Sequence, residues 1–171
     1  MATKDIAYFE EFKDFCKALR EAGAFLVVTD EQGKPNVMTI GWAAIGPVWS
    51  EPVLMVLVRP SRYTFGLIDK AKRFSVNVPI RGLRGELEFC GSHSGRNVDK
   101  VKECGLHVLP GREPGVKILA DCDLFYECEI VQKTKVLKET LDARIIGKYY
   151  PAGDFHGIFF GRILSCYRAP R

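Results

Sequence analysis

A mostly β protein with short helices, folded as a closed or split antiparallel β-barrel with Greek-key connections, is what this sequence predicts. Three observations lead there. Val, Ile, Phe and Tyr gather in six or seven short runs bounded by Gly, Pro and Asp. Those runs follow one another without the regular strand–helix alternation that a parallel sheet requires. The 171 residues suffice for one core burying roughly two-thirds of the unfolded surface, so a single domain over residues 1–171 accounts for the chain.

The elements follow in order. Ile6, Phe9, Phe12, Phe15, Cys16 and Leu19 recur at steps of three and four with charged residues between them, which predicts an amphipathic helix stopped by Gly23. AFLVVT (24–29), VMTIGWAAIGPVW (37–49) and VLMVLV (53–58) read as strands of an antiparallel meander, the first two joined through the turn residues Gly33 and Pro35. Ser61 is the candidate N-cap of a short helix carrying Phe65, Leu67 and Ile68. RFSVNV (73–78) returns as a strand. Residues 81–105 mix Gly and Ser with helical pieces and 106–121 read as loop, and a long irregular insert in a compact domain is often functional. LFYECEIVQKTKVL (124–137), ARIIGKYY (143–150) and HGIFFGRILSCYR (156–168) supply the last three strands.

Composition narrows the function classes. The hydrophobic share of 47% and charged share of 27% are globular, and no apolar run approaches the roughly 18 residues of a membrane helix. The opening MATKDIAYFEEFKDF lacks a secretory pattern, so the cytoplasm is the expected compartment. The cysteines at 16, 90, 104, 122, 128 and 166 show no CxxC and no zinc-finger spacing with His, which predicts buried free thiols and no metal site. A net charge of +4 is mild. Between Arg59 and Arg84, however, seven cations face the single acid Asp69, a segment suited to an anion. Nucleic acid is disfavoured, because no binding motif or basic tail accompanies these charges. A small phosphorylated ligand needs fewer of them.

Nucleotide and hydrolase signatures are absent: no GxGxxG after a strand, no GxxxxGK[ST], no GxSxG, no HExxH. Two segments remain as anion-site candidates. In RPSRYT, Arg59 and Arg62 offer guanidinium forks, with Ser61, Thr64 and backbone N–H groups to complete a cradle. In SHSGRNVDK, small and hydroxylated residues lead to Arg96 and Lys100. Each has an ordinary reading beside it: a helix cap with a solvated charge for both segments, a core indole for Trp42, a turn residue for Asn36, and a surface or dimer-interface imidazole for His156.

Taken together, GAFLVVTDEQGKPNVMTIGWAAIGPVWSEPVLMVLVRPSRYTFGLIDKAKRFSVNV, CGSHSGRNVDKV, ECEIV and GDFHGIFFGRI resemble the flavin-reductase-like, FMN-binding split-barrel family, closest to its flavoredoxin branch. The resemblance covers about residues 20 to 166. It implies a homodimer with FMN near the subunit interface, and electrons drawn from NAD(P)H or a redox-protein donor. By motif, Asn36, Met38, Thr39 and Trp42 would line the flavin ring; Arg59, Ser61, Arg62, Tyr63 and Thr64 match the phosphate turn; and Ser92, Ser94, Gly95 and Lys100 fall where the ribityl chain and phosphate approach. Many family reductases carry Gly-Asp-His contiguously, with the histidine near the nicotinamide. Here the text is GDFHGIFFGRI, so counting back from Gly161 puts His156 at that position, as the catalytic candidate, with Phe155 inserted. The lack of an obvious nucleophile or acid–base pair agrees with chemistry carried by a cofactor. The alternative of a different class is a split-barrel binding module that holds haem or pyridoxal phosphate without redox turnover.

Overall fold

A computed structural model of the chain describes residues 3–170. Strand β1 (Lys4–Asp5) precedes helix α1 (Phe12–Glu21), which buries Phe15 at 1% exposure and leaves Phe12 exposed, as is Phe9 in the turn before it. The helix thus begins six residues later than the apolar spacing predicts. Ile6 is held instead as an extension of β1, its N–H donating to Cys166 O at 3.2 Å. Gly23 ends the helix as expected: at φ +100° its N–H reaches back to Ala18 O at 2.7 Å, and a Cβ there would lie 2.7 Å from Ile40 O.

Strands β2 (Ala24–Thr29), β3 (Pro35–Ile40), β4 (Ala43–Val48) and β5 (Glu51–Val58) follow, then α2 (Tyr63–Ile68) and β6 (Arg73–Val78). After helices α3 (Arg84–Ser92) and α4 (Lys100–Glu103) come a small hairpin, β7 (Val108–Pro110) with β8 (Lys117–Leu119), and the long β9 (Leu124–Lys135). Helix α5 (Ala143–Tyr149) and β10 (Gly157–Arg168) complete the chain. The main sheet runs β3-β2-β6-β9-β10-β5-β4, antiparallel throughout, with β1 paired to β10.

The expected strand over 37–49 is two strands. β3 and β4 lie at opposite ends of that path, yet only Gly41 and Trp42 separate them, so Ile40 and Ala43 stand at most about 11 Å apart. The sheet must therefore curl until its two ends meet at this corner, with no ladder joining β3 to β4. This is a barrel left split at one seam, and the meander expected of the first three strands is broken by the same seam: β3 pairs with β2 and β4 with β5.

Alternation sorts the core. On β2, Leu26 and Val28 join Val56, Val58, Phe74, Val76 and Tyr126 inside the barrel. Phe25 and Val27 face the other way and pack with Leu87 and Cys90 of α3 and Leu119 of β8. Two further expectations are corrected. Residues 106–121 contain the β7–β8 hairpin rather than loop alone. Residues 143–149 form α5 rather than a strand, because the Asp142 side chain caps it, accepting from Arg144 N at 2.8 Å, and overrides the β preference of Ile145 and Ile146. All six cysteines are free; Cys90, Cys122 and Cys128 are buried and the other three half-buried. Among the described residues no helix is long and apolar enough to cross a membrane.

Candidate functional site

The seam positions the site. Met38 and Thr39 come from the end of β3, Trp42 from the corner itself, Leu57 and Arg59 from the end of β5, and Arg62 to Thr64 from the start of α2. The connection between α3 and α4 supplies His93, Ser94, Gly95 and Arg96. Two adjoining cavities result, of about 120 Å³ and about 200 Å³, sharing Met38, Arg62 and Gly91 as a common wall.

The smaller cavity is basic. Arg62 donates to Gly91 O at 3.4 Å, and Arg96 donates to Ser61 O at 3.2 Å while lying 5.5 Å over the Tyr63 ring. The Lys100 ammonium, in a residue only 5% exposed, donates to Cys90 O at 3.0 Å and His93 O at 3.3 Å. Burial pulls the Lys100 pKa down, the Cys90 thiol opposes that, and the like charge of Arg62 adds to it. Arg59 is spent on the carbonyls of Tyr149 (2.8 Å) and Asp154 (3.0 Å). Among the described residues, none of Arg59, Arg62, Arg96 and Lys100 belongs to an ion pair. Three cations, Arg62, Arg96 and Lys100, converge here with backbone carbonyls for partners, and Arg59 stands on the wall of the adjoining cavity, which suits the site to an anion.

The larger cavity is aromatic, with Arg59 and Arg62 on its wall. Trp42, 38% exposed, meets Tyr149 edge-on at 5.0 Å and His156 at 5.0 Å between ring centroids. His156 is 8% exposed, with Nδ1 2.7 Å from the Tyr150 hydroxyl. Burial, then the nearby Arg59, lowers the His156 pKa from 6.5 to about 4, so the imidazole is neutral at physiological pH. Burial raises the Tyr150 phenol, against the pull of Arg59. With Nδ1 engaged by Tyr150, Nε2 is the ring nitrogen left for a ligand.

The sequence-predicted residues divide accordingly. Met38, Ser61, Arg62, Tyr63, Thr64, Ser94, Gly95 and Lys100 line the basic cavity, while Met38, Thr39, Trp42, Arg59, Arg62 and His156 line the aromatic one. Asn36 lines neither. It braces the wall by donating to Thr64 Oγ1 at 2.8 Å, and a Cβ on Gly95 would fall 2.2 Å from Asn36 Oδ1 and 2.9 Å from the Tyr63 ring, so a larger residue there must displace that brace. Ser92 also stands outside, its hydroxyl donating back to Glu88 O at 2.8 Å. Ser61 does not cap α2, whose N-cap is Arg62; its N–H (3.1 Å) and hydroxyl (2.6 Å) both donate to the Asp154 carboxylate. Tyr149, Tyr150 and Asp154 are site residues that the sequence reading missed. The only local signal was the dense YYPAGDFH run, read there for His156 alone.

A larger cleft, about 710 Å³, opens on the far side of Tyr63 between Thr29–Gln32 and Lys70–Arg73. Its Arg73 is already paired with Glu129 at 3.7 Å, and of the predicted site residues it holds Tyr63 alone.

Comparison with known proteins decides the family. The family model described as a flavin reductase like domain matches residues 20–171. The chain belongs to the flavin reductase-like family. An uncharacterized protein from Archaeoglobus fulgidus is 30% identical over 118 residues, 68% of this chain and 65% of its own length, so the chain spans somewhat less than two-thirds of that relative. Flavoredoxin from Methanosarcina acetivorans superposes with a TM-score of 0.68 at 26% identity, covering 86% of this chain and 69% of its own. An FMN-binding protein from Thermus thermophilus, solved with bound p-hydroxybenzaldehyde, gives a TM-score of 0.68 at 28% identity over 86% of this chain and 71% of its own. The split, unclosed barrel is thus the fold of this family.

Proposed function

We propose that this chain is a cytoplasmic, homodimeric FMN-binding oxidoreductase of the flavoredoxin kind, taking electrons from NAD(P)H or a redox-protein donor. The observation that carries the reading is the junction of a basic cavity with an aromatic one at Met38, Arg62 and Gly91. FMN has the same construction, a dianionic phosphate tethered to a flat ring, and the residues fit it: three cations without carboxylate partners, Arg62, Arg96 and Lys100, at one end, and Trp42, Leu57 and Met38 at the other. Six free thiols agree with a reducing compartment.

When bound, FMN supplies reversible two-electron chemistry that side chains lack. The chain's residues bind and orient. Arg62, Arg96 and Lys100 hold the phosphate end, and Ser94 adds a hydroxyl. Asn36, fixed through Thr64, keeps α2 against β3 and Gly95 against both. His156 stays uncharged and offers Nε2 to whatever meets the ring face, with its orientation set by Tyr150.

The test is purification without added cofactor, a visible absorbance spectrum, and identification of the compound released by heat. Stoichiometric FMN is expected. NADH and NADPH oxidation above the free-flavin background then marks a reductase, and none marks an electron carrier fed by a protein. Released haem or pyridoxal phosphate, or a colourless protein that does not quench FMN fluorescence, would sink the proposal.

A further inference from the structure

Two thiols meet beside the basic cavity. Cys90, on the last turn of α3, is 1% exposed, and its Sγ stands 3.9 Å from the Sγ of Cys104, the half-buried residue that follows α4. Among the described residues no other pair of thiols is in hydrogen-bond contact. Cys90 lines the basic cavity, and its carbonyl accepts from the Lys100 ammonium at 3.0 Å. The segment between the two cysteines carries Ser94, Gly95, Arg96 and Lys100. The thiol pair therefore brackets the stretch of backbone that brings Ser94, Arg96 and Lys100 to the cavity.

We propose that Cys90 and Cys104 form a reversible dithiol–disulfide pair that closes under low-molecular-weight disulfides of the glutathione type and tightens the basic cavity on its phosphate group. Cys104, the more accessible of the two, reacts first. Its thiolate attacks one sulfur of the small disulfide, that S–S bond breaks, and one small thiol leaves. Cys90 then attacks the Cys104 sulfur of the mixed disulfide and expels the second small thiol, which takes up the proton Cys90 gave up. Two protein thiols are oxidised by two electrons in all, and one small disulfide is reduced to two thiols. The sulfurs close from 3.9 Å to about 2.0 Å, a displacement of the order that side-chain rotation provides. The bond ties the end of α3 to the end of α4, so the loop between them loses freedom to open and a bound phosphate leaves more slowly.

The electrostatics set the rate. Burial pushes the Cys90 thiol up to about 12, with Cys104 adding to the rise and Lys100 opposing it, and burial also raises Cys104. Thiolate is scarce near neutral pH, so the pair stays reduced under brief exposure and closes under a sustained oxidising load or at raised pH.

The tightening of the cavity rests on the FMN reading; the thiol chemistry does not, and the experiment separates them. Cofactor-free protein is incubated with oxidised glutathione over a range of pH and its peptides mapped by mass. A loss of about 2 Da located to one Cys90–Cys104 cross-link, reversed by reductant, is expected, with a rate rising about tenfold per pH unit. Cys104→Ser should show no such loss. A link mapped to other cysteines, or a glutathione adduct that never resolves, overturns the pair. Inorganic phosphate and FMN are next titrated into reduced and oxidised protein. The oxidised form should bind both at least about threefold more tightly, mostly through slower release, and Cys104→Ser should not respond to oxidant. Equal affinities in the linked and reduced forms overturn the tightening. A protein that binds phosphate but not FMN fails the flavin reading while leaving the phosphate comparison decisive.

Discussion

Arg62 touches both cavities, and its guanidinium has no carboxylate within reach among the described residues. Its truncation therefore removes attraction for an anion without orphaning a buried acid. Arg62→Ala should weaken FMN binding by about 1.5–3 kcal/mol, roughly ten- to a hundredfold in Kd, with the unfolding midpoint nearly unchanged. Fluorescence titration beside urea unfolding checks this, and unchanged affinity would remove Arg62 from the phosphate role. His156 makes a prediction in pH. Its native pKa of about 4 lies below the ordinary 6.5, so between those values the unfolded chain takes up a proton that the native state refuses. This stability is complete above about pH 6.5 and is lost as pH falls toward 4, on the order of 2–3 kcal/mol. Unfolding free energies at about pH 7 and about pH 4.5 should show that loss in the wild type and a smaller one in His156→Asn; equal losses in both would contradict a buried neutral imidazole. The residues legible in the sequence were those whose chemistry is local, such as Arg62 and Tyr63 in one turn and Gly95 in another. Tyr149, Tyr150 and Asp154 were not legible, because the Tyr149 carbonyl and the Tyr150 ring reach Arg59, and Asp154 reaches Ser61, from about ninety residues away, and nothing in a linear pattern announces that approach.

At the scale of elements, the β7–β8 hairpin is fastened to β9 by a buried carboxylate. Glu127 is fully buried; its oxygens accept from Arg112 N at 2.9 Å and Glu113 N at 2.7 Å, and the Tyr167 hydroxyl donates to it as well. Removing the acceptor strands the buried Tyr167 hydroxyl and leaves the part-buried N–H groups of Arg112 and Glu113 without their partner. Glu127→Ala should cost about 3–5 kcal/mol, read as a lowered urea midpoint, and a loss below about 1 kcal/mol would show that the loop satisfies itself otherwise. The same anchoring explains which elements the sequence disclosed. β2 carries an uninterrupted apolar run from Ala24 to Val28, while β6 and β9 place apolar residues at alternate positions, Phe74, Val76 and Val78 on one and Leu124, Tyr126 and Cys128 on the other, and all three form where those patterns lie. α5 was misread because Ile145 and Ile146 favour strands, and its outcome turned on the cap from Asp142 and on the edge of the barrel lying elsewhere. The break at Gly41–Trp42 was hidden for a related reason: apolar residues continue through it, and only the strand order shows that the chain there jumps from one end of the sheet to the other.

On the scale of the whole molecule, antiparallel pairing could be foreseen from the missing strand–helix alternation, whereas the order β3-β2-β6-β9-β10-β5-β4 could not, since β6 meets β9 across some fifty residues. That order creates the seam, and the seam leaves the aromatic cavity short of a wall: Trp42 is 38% exposed, Tyr149 39% and Ile145 41%. Apolar surface of this kind beside a ligand groove is costly in water. The proposed homodimer would cover it, and covering it ties assembly to the cofactor. If a second copy completes the ring end, FMN binds the dimer more tightly than the monomer, and by reciprocity FMN must strengthen dimerisation by the same factor. Light scattering should then give a mass near twice the 19.2 kDa of the chain, with the dimer dissociation constant lower by at least about tenfold in saturating FMN. Ile145→Lys, which places a charge on the exposed apolar surface and touches neither cavity, should produce a folded monomer that retains phosphate affinity and loses FMN affinity. A 19.2 kDa monomer that keeps FMN at every dilution would show instead that Trp42, Tyr149 and Ile145 face solvent in the working protein and that one chain holds the whole site.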